Sequence, residues 1–346
     1  MPNRNSETVE KRDRQMGISI EKADFYGRHI LATIQDYGRY GYQNSGVTVS
    51  GVVDRRSASK ANVLVNNDIR EAVIEFMLMG PTIKFTSSAH IAITGADFSP
   101  KLNGESIANY KAIKVKAGDV LEFGFAKGGV WGYIAFAEKL SVPQVMGSRS
   151  TNTRTGIGGI QGRALEEGDT IEFREKIKSL PNFEKRELEP ENFGNKEKEI
   201  RVILGLQQDA FTKKGIETFL NSTYRPTSEC DRMGYRMEGP VIEHINSADI
   251  TSDGISLGAI QVPGSGTPIV MLTDRQTTGG YTKIGTVIGV DISDFVQSVA
   301  GTEIHFKEIS VVDAQDLYIG QFEYFNKLKN DLAKESFFTK LKHIFA

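Results

Sequence analysis

Short apolar or alternating runs follow one another along most of this chain, and their lengths predict strands. Ala72–Met79, Thr82–Phe85, His90–Thr94, Ala112–Val115, Val120–Phe123 and Val130–Ala137 are such runs, with Gly, Pro, Asn or Asp in most of the gaps. Ile200–Gly205, Pro268–Leu272, Ile284–Val290 and Glu303–Phe306 continue the series in the second half. Leu31–Gln43 starts as a strand and breaks into a Gly- and Tyr-rich loop carrying Asp36 and Arg39. The spacing predicts a mainly β protein built as sandwiches or barrels.

Helical periodicity is confined to a few places. Arg55–Val65 has an apolar side and Asp54 in position to cap it. Phe211–Leu220 reads as a helix with Thr212 as cap, and a brief helix follows Ser293. From Phe322 to Phe345 apolar residues at 325, 328, 332, 338, 341 and 345 mark an amphipathic helix, most simply packed on its own protein. Two templates recur. Gly118-Asp-Val-Leu-Glu-Phe123, Gly168-Asp-Thr-Ile-Glu-Phe173 and Gly301-Thr-Glu-Ile-His-Phe306 share one, and the Gly-Pro-x-Ile segments at 80–83 and 239–242 share another. Such reuse suggests two β-units of related design.

Glu175–Glu199 interrupts the pattern with dense Lys and Glu, and the boundary between the halves is placed there. The expected organisation is a disordered extension over 1–17, a first β domain over 18–180, a charged linker over 181–199, a second β domain over 200–310 and a helical tail over 311–346.

Composition changes this picture little. Of 346 residues, 39% are hydrophobic and 25% charged, which is ordinary for a soluble globular chain with a real core. A net charge of −2 offers no bulk attraction to nucleic acid or to an acidic membrane. With Cys230 as its one cysteine the chain forms no internal disulfide, and it lacks an apolar leader or span, so a cytoplasmic location is expected. Cys230 has no His near it in sequence and reads as an ordinary buried thiol rather than a nucleophile. The five histidines share no metal-binding spacing, so no metal site is expected. There is no Gly-x-Ser-x-Gly elbow, P-loop or dinucleotide fingerprint.

Candidate chemistry sits on Gly-rich loops. After the buried strand near Pro268–Leu272 come Asp274, Arg275, Gln276, Thr277, Thr278, Gly279, Gly280 and Tyr281; before it lie Gln261 and Pro263. Hydroxyls, both charge signs and permissive backbone at a strand end suit an anion or an amide-like group; a hairpin turn with a solvated Asp-Arg pair is the alternative. Gly147–Gly159 is rich in Arg, Ser and Thr and could hold an anion, or be a plain surface loop. Asp231–Gly239 carries Arg232, Tyr235 and Arg236 among acidic residues, either a site or a surface ion-pair lattice.

Taken together, these motifs make the chain resemble the biotin-dependent carboxyltransferase family, which includes allophanate hydrolase subunit 2, KipA proteins and the C subunit of the prokaryotic 5-oxoprolinase. The resemblance covers roughly residues 28–310. It rests on Ile34-Gln-Asp-Tyr-Gly-Arg39, Gly41-Tyr-Gln43, Gly46 to Asp54, Thr94-Gly-Ala-Asp97, Gly147-Ser-Arg-Ser-Thr151, Gly158 to Arg163, Asp231-Arg-Met-Gly-Tyr-Arg236, Gly258 to Pro263 and Asp274 to Tyr281, in family order. Val52-Val53 depart from the family's common Ala-Met pair.

The resemblance implies two cyclophilin-like β-barrel domains. It also implies the KipI-like B subunit and the A subunit of 5-oxoprolinase as partners, ATP as co-substrate of the complex, and opening of the 5-oxoproline ring to L-glutamate through a phosphorylated lactam. Carboxyl transfer from a separate biotin carrier to an amide or urea-like substrate is the alternative; the chain has no carrier lysine in an Ala-Met-Lys-Met hairpin. A third reading is a regulatory partner that antagonises a KipI-type kinase inhibitor. In these terms Asp36 or Asp274 is the candidate base, and Arg39, Arg149, Arg232 and Arg275 hold anionic groups. Thr277, Thr278, Gly279 and Gly280 offer donors, Gln261 and Tyr281 orient the amide, and Tyr235 is a further substrate- or anion-binding residue.

Overall fold

The protein is described from a computed structural model that covers residues 16–25, 28–205 and 207–333. The expected disordered extension lies outside the described residues except at its last two positions, as does the end of the expected tail helix.

In the first half, two sheets enclose one core. One has five strands, in the order Ala112–Val115, Ala89–Asp97, Lys127–Phe136, Val73–Met77 and Ala32–Gln35. The other has six, and its inner strands Gly17–Lys22, Thr82–Phe85 and Val120–Glu122 lie side by side. Ile18, Ile20, Ile83 and Phe85 of the larger sheet meet Ile34, Ile74, Phe76, Ile93 and Phe136 of the smaller. The five-stranded sheet is buried on its far face as well, where Val73, Ala92, Trp131, Tyr133 and Ala135 pack under helix α1 (Arg55–Leu64). A strand covered on both faces needs apolar residues at successive positions, which is why His90–Thr94 and Val130–Ala137 read as continuous runs rather than alternations.

The second half closes into a barrel of seven strands: Glu197–Leu204, Lys283–Val287, Ala259–Gln261, Ile269–Met271, Gly234–Glu238, Thr223–Cys230 and Glu303–Glu308. Its neighbours are antiparallel except at the closing pair, where Glu197–Leu204 runs parallel to Glu303–Glu308. Helix α2 (Lys213–Asn221) stops one end, with Phe219 stacked on Phe306 at 4.8 Å.

The expected caps are present: Asp54 accepts from the Ser57 amide at 3.0 Å and Thr212 from the Gly215 amide at 2.9 Å. Helix α3 (Ile292–Val296) begins after Asp291, not at Ser293, and the Asp291 carboxylate does not cap because Arg201 holds it at 2.5 Å. Helix α4 (Val311–Ala333) starts well before Phe322. Its first turns leave Val311, Val312, Tyr318 and Ile319 exposed, so no one-sided apolar stripe advertises them. The Gly118, Gly168 and Gly301 template has a backbone cause: their φ angles are +91°, +89° and +86°, and a strand follows each within two residues.

Charged as it is, the segment between the halves is anchored. Arg186 is 1% exposed and donates to the carbonyls of Pro181, Val63, Leu64 and Leu332, and among the described residues it pairs with no carboxylate. Burial alone pushes its pKa down to about 10. One guanidinium thus ties the C-terminal end of α1 and Leu332 of α4 to the connecting segment.

Candidate functional site

The Gly-rich loops of both halves meet at the junction between them. The Ser50 amide donates to the Thr273 carbonyl at 3.0 Å, and Arg232 reaches across to the Gly51 carbonyl at 2.8 Å. Arg232 also pairs with Glu75 of the first half and, at 2.8 Å, with Asp274 of the second. All three side chains are buried. Burial raises the Glu75 pKa, and Arg232 opposes that rise. Arg39 lies where it feels both Asp36 and Asp274, although burial is the larger influence and lowers its pKa.

This junction uses up several residues expected to face a ligand. Asp36 accepts from the Gly38 and Arg149 amides at 2.9 and 2.7 Å and from the Ser148 and Ser150 hydroxyls at 2.6 Å. Both Asp274 oxygens are held by Arg232. Neither carboxylate is placed as a base; each pins loops together, because a buried carboxylate must be saturated by donors. Arg232 is spent in the same way, and Arg39 donates from Nε and Nη2 to the carbonyls of Val145 and Ser150, while its Nη1 is buried without a partner. Tyr235 is core: its hydroxyl donates to the Val296 carbonyl at 2.7 Å and accepts from the Trp131 indole at 3.0 Å. Arg275 points back onto the carbonyls of Ile255 and Leu272.

The remaining predicted residues gather elsewhere. Gln261 and Tyr281 line a cleft of about 510 Å³ together with Gln276, Arg236 and, from the first half, Arg154. Thr278–Tyr281 forms a two-stranded ribbon with Asp249–Gly254, and the Thr277 carbonyl accepts from the Ile255 amide. Gly279 lies directly over Gln261: a Cβ there would stand 2.8 Å from Gln261 Nε2. Gly280 approaches the Ile250 carbonyl in the same ribbon.

Gln261 is the distinctive group of this cleft. It is 2% exposed, and its Nε2 has no acceptor. An unpaired buried donor costs about 1–3 kcal/mol, so a ligand carbonyl or oxyanion that accepts from it gains correspondingly. Arg154 lines the cleft from a turn in which the Asn152 side chain accepts from the Arg154 backbone amide at 3.1 Å. Arg154 was not among the predicted site residues; its only signal in the sequence is membership of the Arg- and Ser-rich loop Gly147–Gly159. Cys230 also lines the cleft, but burial pushes its thiol up to about 12, so it stays protonated near neutrality. Among the described residues no cluster of His, Cys, Asp or Glu could hold a metal ion.

A two-sheet β half joined to a seven-stranded barrel, with Gly-rich loops at the seam, defines a two-part β scaffold with a cleft lined from both parts. The family model for the carboxyltransferase domain, subdomains A and B, matches residues 45–308. The chain belongs to this family. It is 33% identical over 307 residues to the 5-oxoprolinase C subunit of Escherichia coli, covering 89% of this chain and 97% of that protein. The fold matches the urea carboxylase of Kluyveromyces lactis with a TM-score of 0.82 and 28% identity, over 93% of this chain and 30% of that one. The urea amidolyase of K. lactis aligns equally well, at a TM-score of 0.82, and this chain spans 20% of its length.

Proposed function

We propose that this chain is the C subunit of an ATP-dependent 5-oxoprolinase, working with the KipI-like B subunit and the A subunit of that enzyme. The observation that carries this reading is the similarity to the E. coli protein across 97% of its length. The cleft at Gln261 supports it chemically. A lactam presents a planar carbonyl and an N–H, and its oxygen gains negative charge as the ring is activated. Gln261 Nε2 and the Arg154 guanidinium would donate to that oxygen, with Gln276 and Tyr281 at the rim orienting the amide. In the proposed sequence, phosphoryl transfer from ATP to the lactam oxygen releases ADP. Water then adds to the activated carbon and the ring C–N bond breaks to give γ-glutamyl phosphate; a second water hydrolyses this acyl phosphate to glutamate and phosphate.

The test is to co-purify the chain with its two partner subunits and measure ATP-dependent glutamate release from 5-oxoproline. Gln261→Ala should leave the complex assembled and lower turnover by roughly 100- to 1,000-fold, the cost of one oxyanion donor. Unchanged turnover in that variant would remove the cleft from the mechanism.

The likeness to the K. lactis urea carboxylase favours a second reading, carboxyl transfer to an amide-like acceptor from a separate biotin carrier. The same donors suit a urea or ureido carbonyl. Bicarbonate-dependent transfer, assayed in parallel, separates the two.

A further inference from the structure

A second cleft, of about 700 Å³, lies where α4 crosses the junction. It falls within the ~300–1,000 Å³ range of small-molecule sites. Three arginines line it: Arg70, which pairs with Asp68 at 3.8 Å, Arg55 at the first turn of α1, and Arg149 from the Arg- and Ser-rich loop. Arg55 donates to the Tyr40 hydroxyl, while its Nε is buried without an acceptor. Arg149 donates one N–H to the Val142 carbonyl at 2.9 Å. Among the described residues, neither Arg55 nor Arg149 pairs with a carboxylate. Behind them, burial holds the Arg275 pKa down to about 10; Tyr40 opposes that fall and the Arg55 charge adds to it.

The cleft's carboxylates have other hydrogen-bond partners. Asp36 is saturated by backbone and hydroxyl donors. On the rim, Glu71 pairs with Arg174 at 2.6 Å, and the exposed Asp68 caps the Arg70 amide. Exposed rings line the same cleft: Tyr40, Tyr318 and Phe322 are 55%, 58% and 52% exposed. Two guanidinium groups without a carboxylate partner and exposed aromatic rings in one cleft match a ligand that is anionic at one end and planar at the other.

We propose that this cleft binds a nucleoside polyphosphate, with phosphates on Arg55 and Arg149 and the base against Tyr318 and Phe322. The assignment stands on the cleft alone and holds whichever reaction the complex performs. Isothermal titration of the full chain with ADP, pyrophosphate and adenosine tests it. ADP should bind tightest, pyrophosphate more weakly and adenosine weakest. Arg149→Gln and Arg55→Gln should each weaken ADP by roughly tenfold or more, the loss of a charged hydrogen bond. Tyr318→Ala, on an exposed helix face, should weaken ADP and leave pyrophosphate unchanged. Thermal melts of each variant report folding. No ADP binding at millimolar concentration overturns the proposal, as does wild-type ADP affinity in folded Arg149→Gln. Equal affinity for ADP and pyrophosphate, unmoved by Tyr318→Ala, would make this an inorganic phosphate site and overturn it too. None of these readouts depends on glutamate release, so failure here and failure of the 5-oxoprolinase reading are separately visible.

Discussion

Single residues in this protein owe their roles to what surrounds them more than to their type. Gly279 matters because Gln261 lies beneath it. An added methyl would stand 2.7 Å from Ile255 Cδ1 and 2.8 Å from Gln261 Nε2, so Gly279→Ala should displace the amide. In the assembled complex this variant should lower glutamate release about as far as Gln261→Ala, with a melting temperature near wild type. Lys198 offers a pH test. Burial is the largest influence on it and lowers its pKa from 10.5 to about 8. The native state therefore gives up this proton in a window where the unfolded chain keeps it. The lysine's contribution to stability rises with pH from about 8 to 10.5 and is lost again as pH falls through about 8. Urea unfolding across that range should show the rise in wild type and a flatter profile in Lys198→Met. Parallel profiles would show that the ammonium is not desolvated.

At the scale of elements, the seam is closed by side chains that stand in for missing strand pairing. The strand Lys127–Phe136 shifts register against Ala89–Asp97 between Lys127 and Gly132. That irregularity leaves the amides of Val130 and Trp131 without a ladder partner. Gln297, just past α3, fills the gap: its Oε1 accepts from both amides at 2.8 and 2.9 Å, and its Nε2 donates to the Trp131 carbonyl and to Asp54. One side chain of the second half thus completes a strand and steadies the cap of α1 in the first. Gln297→Ala would strand several buried polar groups at about 1–3 kcal/mol each. We expect a loss on the order of 3 kcal/mol or more in denaturant unfolding, and a loss under about 1 kcal/mol would mean that water replaces the amide.

The whole molecule is held as one body by polar contacts as well as by a shared apolar core. Trp131 and Tyr133 of the first half lie in the same cluster as Tyr235, Phe295 and Val296 of the second. The Glu75–Arg232–Asp274 triad crosses that boundary without solvent. Such a triad is costly to break and cheap to replace. Arg232→Met alone should destabilise by about 3–5 kcal/mol, because two carboxylates stay buried without their cation. Replacing all three by apolar residues of similar volume should restore most of that loss. Calorimetry of the single and triple variants distinguishes a specificity device from a stabilising one.

Much of the local architecture could be read from residue order. The helices at Arg55 and Lys213, their Asp54 and Thr212 caps and the strands Thr82–Phe85 and Ala112–Val115 follow from short-range chemistry, in which a side chain meets its own neighbours. The left-handed glycines behind the Gly118 template are local for the same reason. The ordered motifs likewise marked which loops would meet. They left open which side chains those loops would turn inward, since charge, hydroxyl and amide groups are equally suited to a ligand and to a partner loop. Asp36, Arg232 and Asp274 fell to the seam, and Gln261 was left without an acceptor at Nε2 in a cleft it shares with Arg154, a residue more than a hundred positions away in the chain. Burial and partner geometry depend on contacts between distant segments, and those exist only once the two halves have packed.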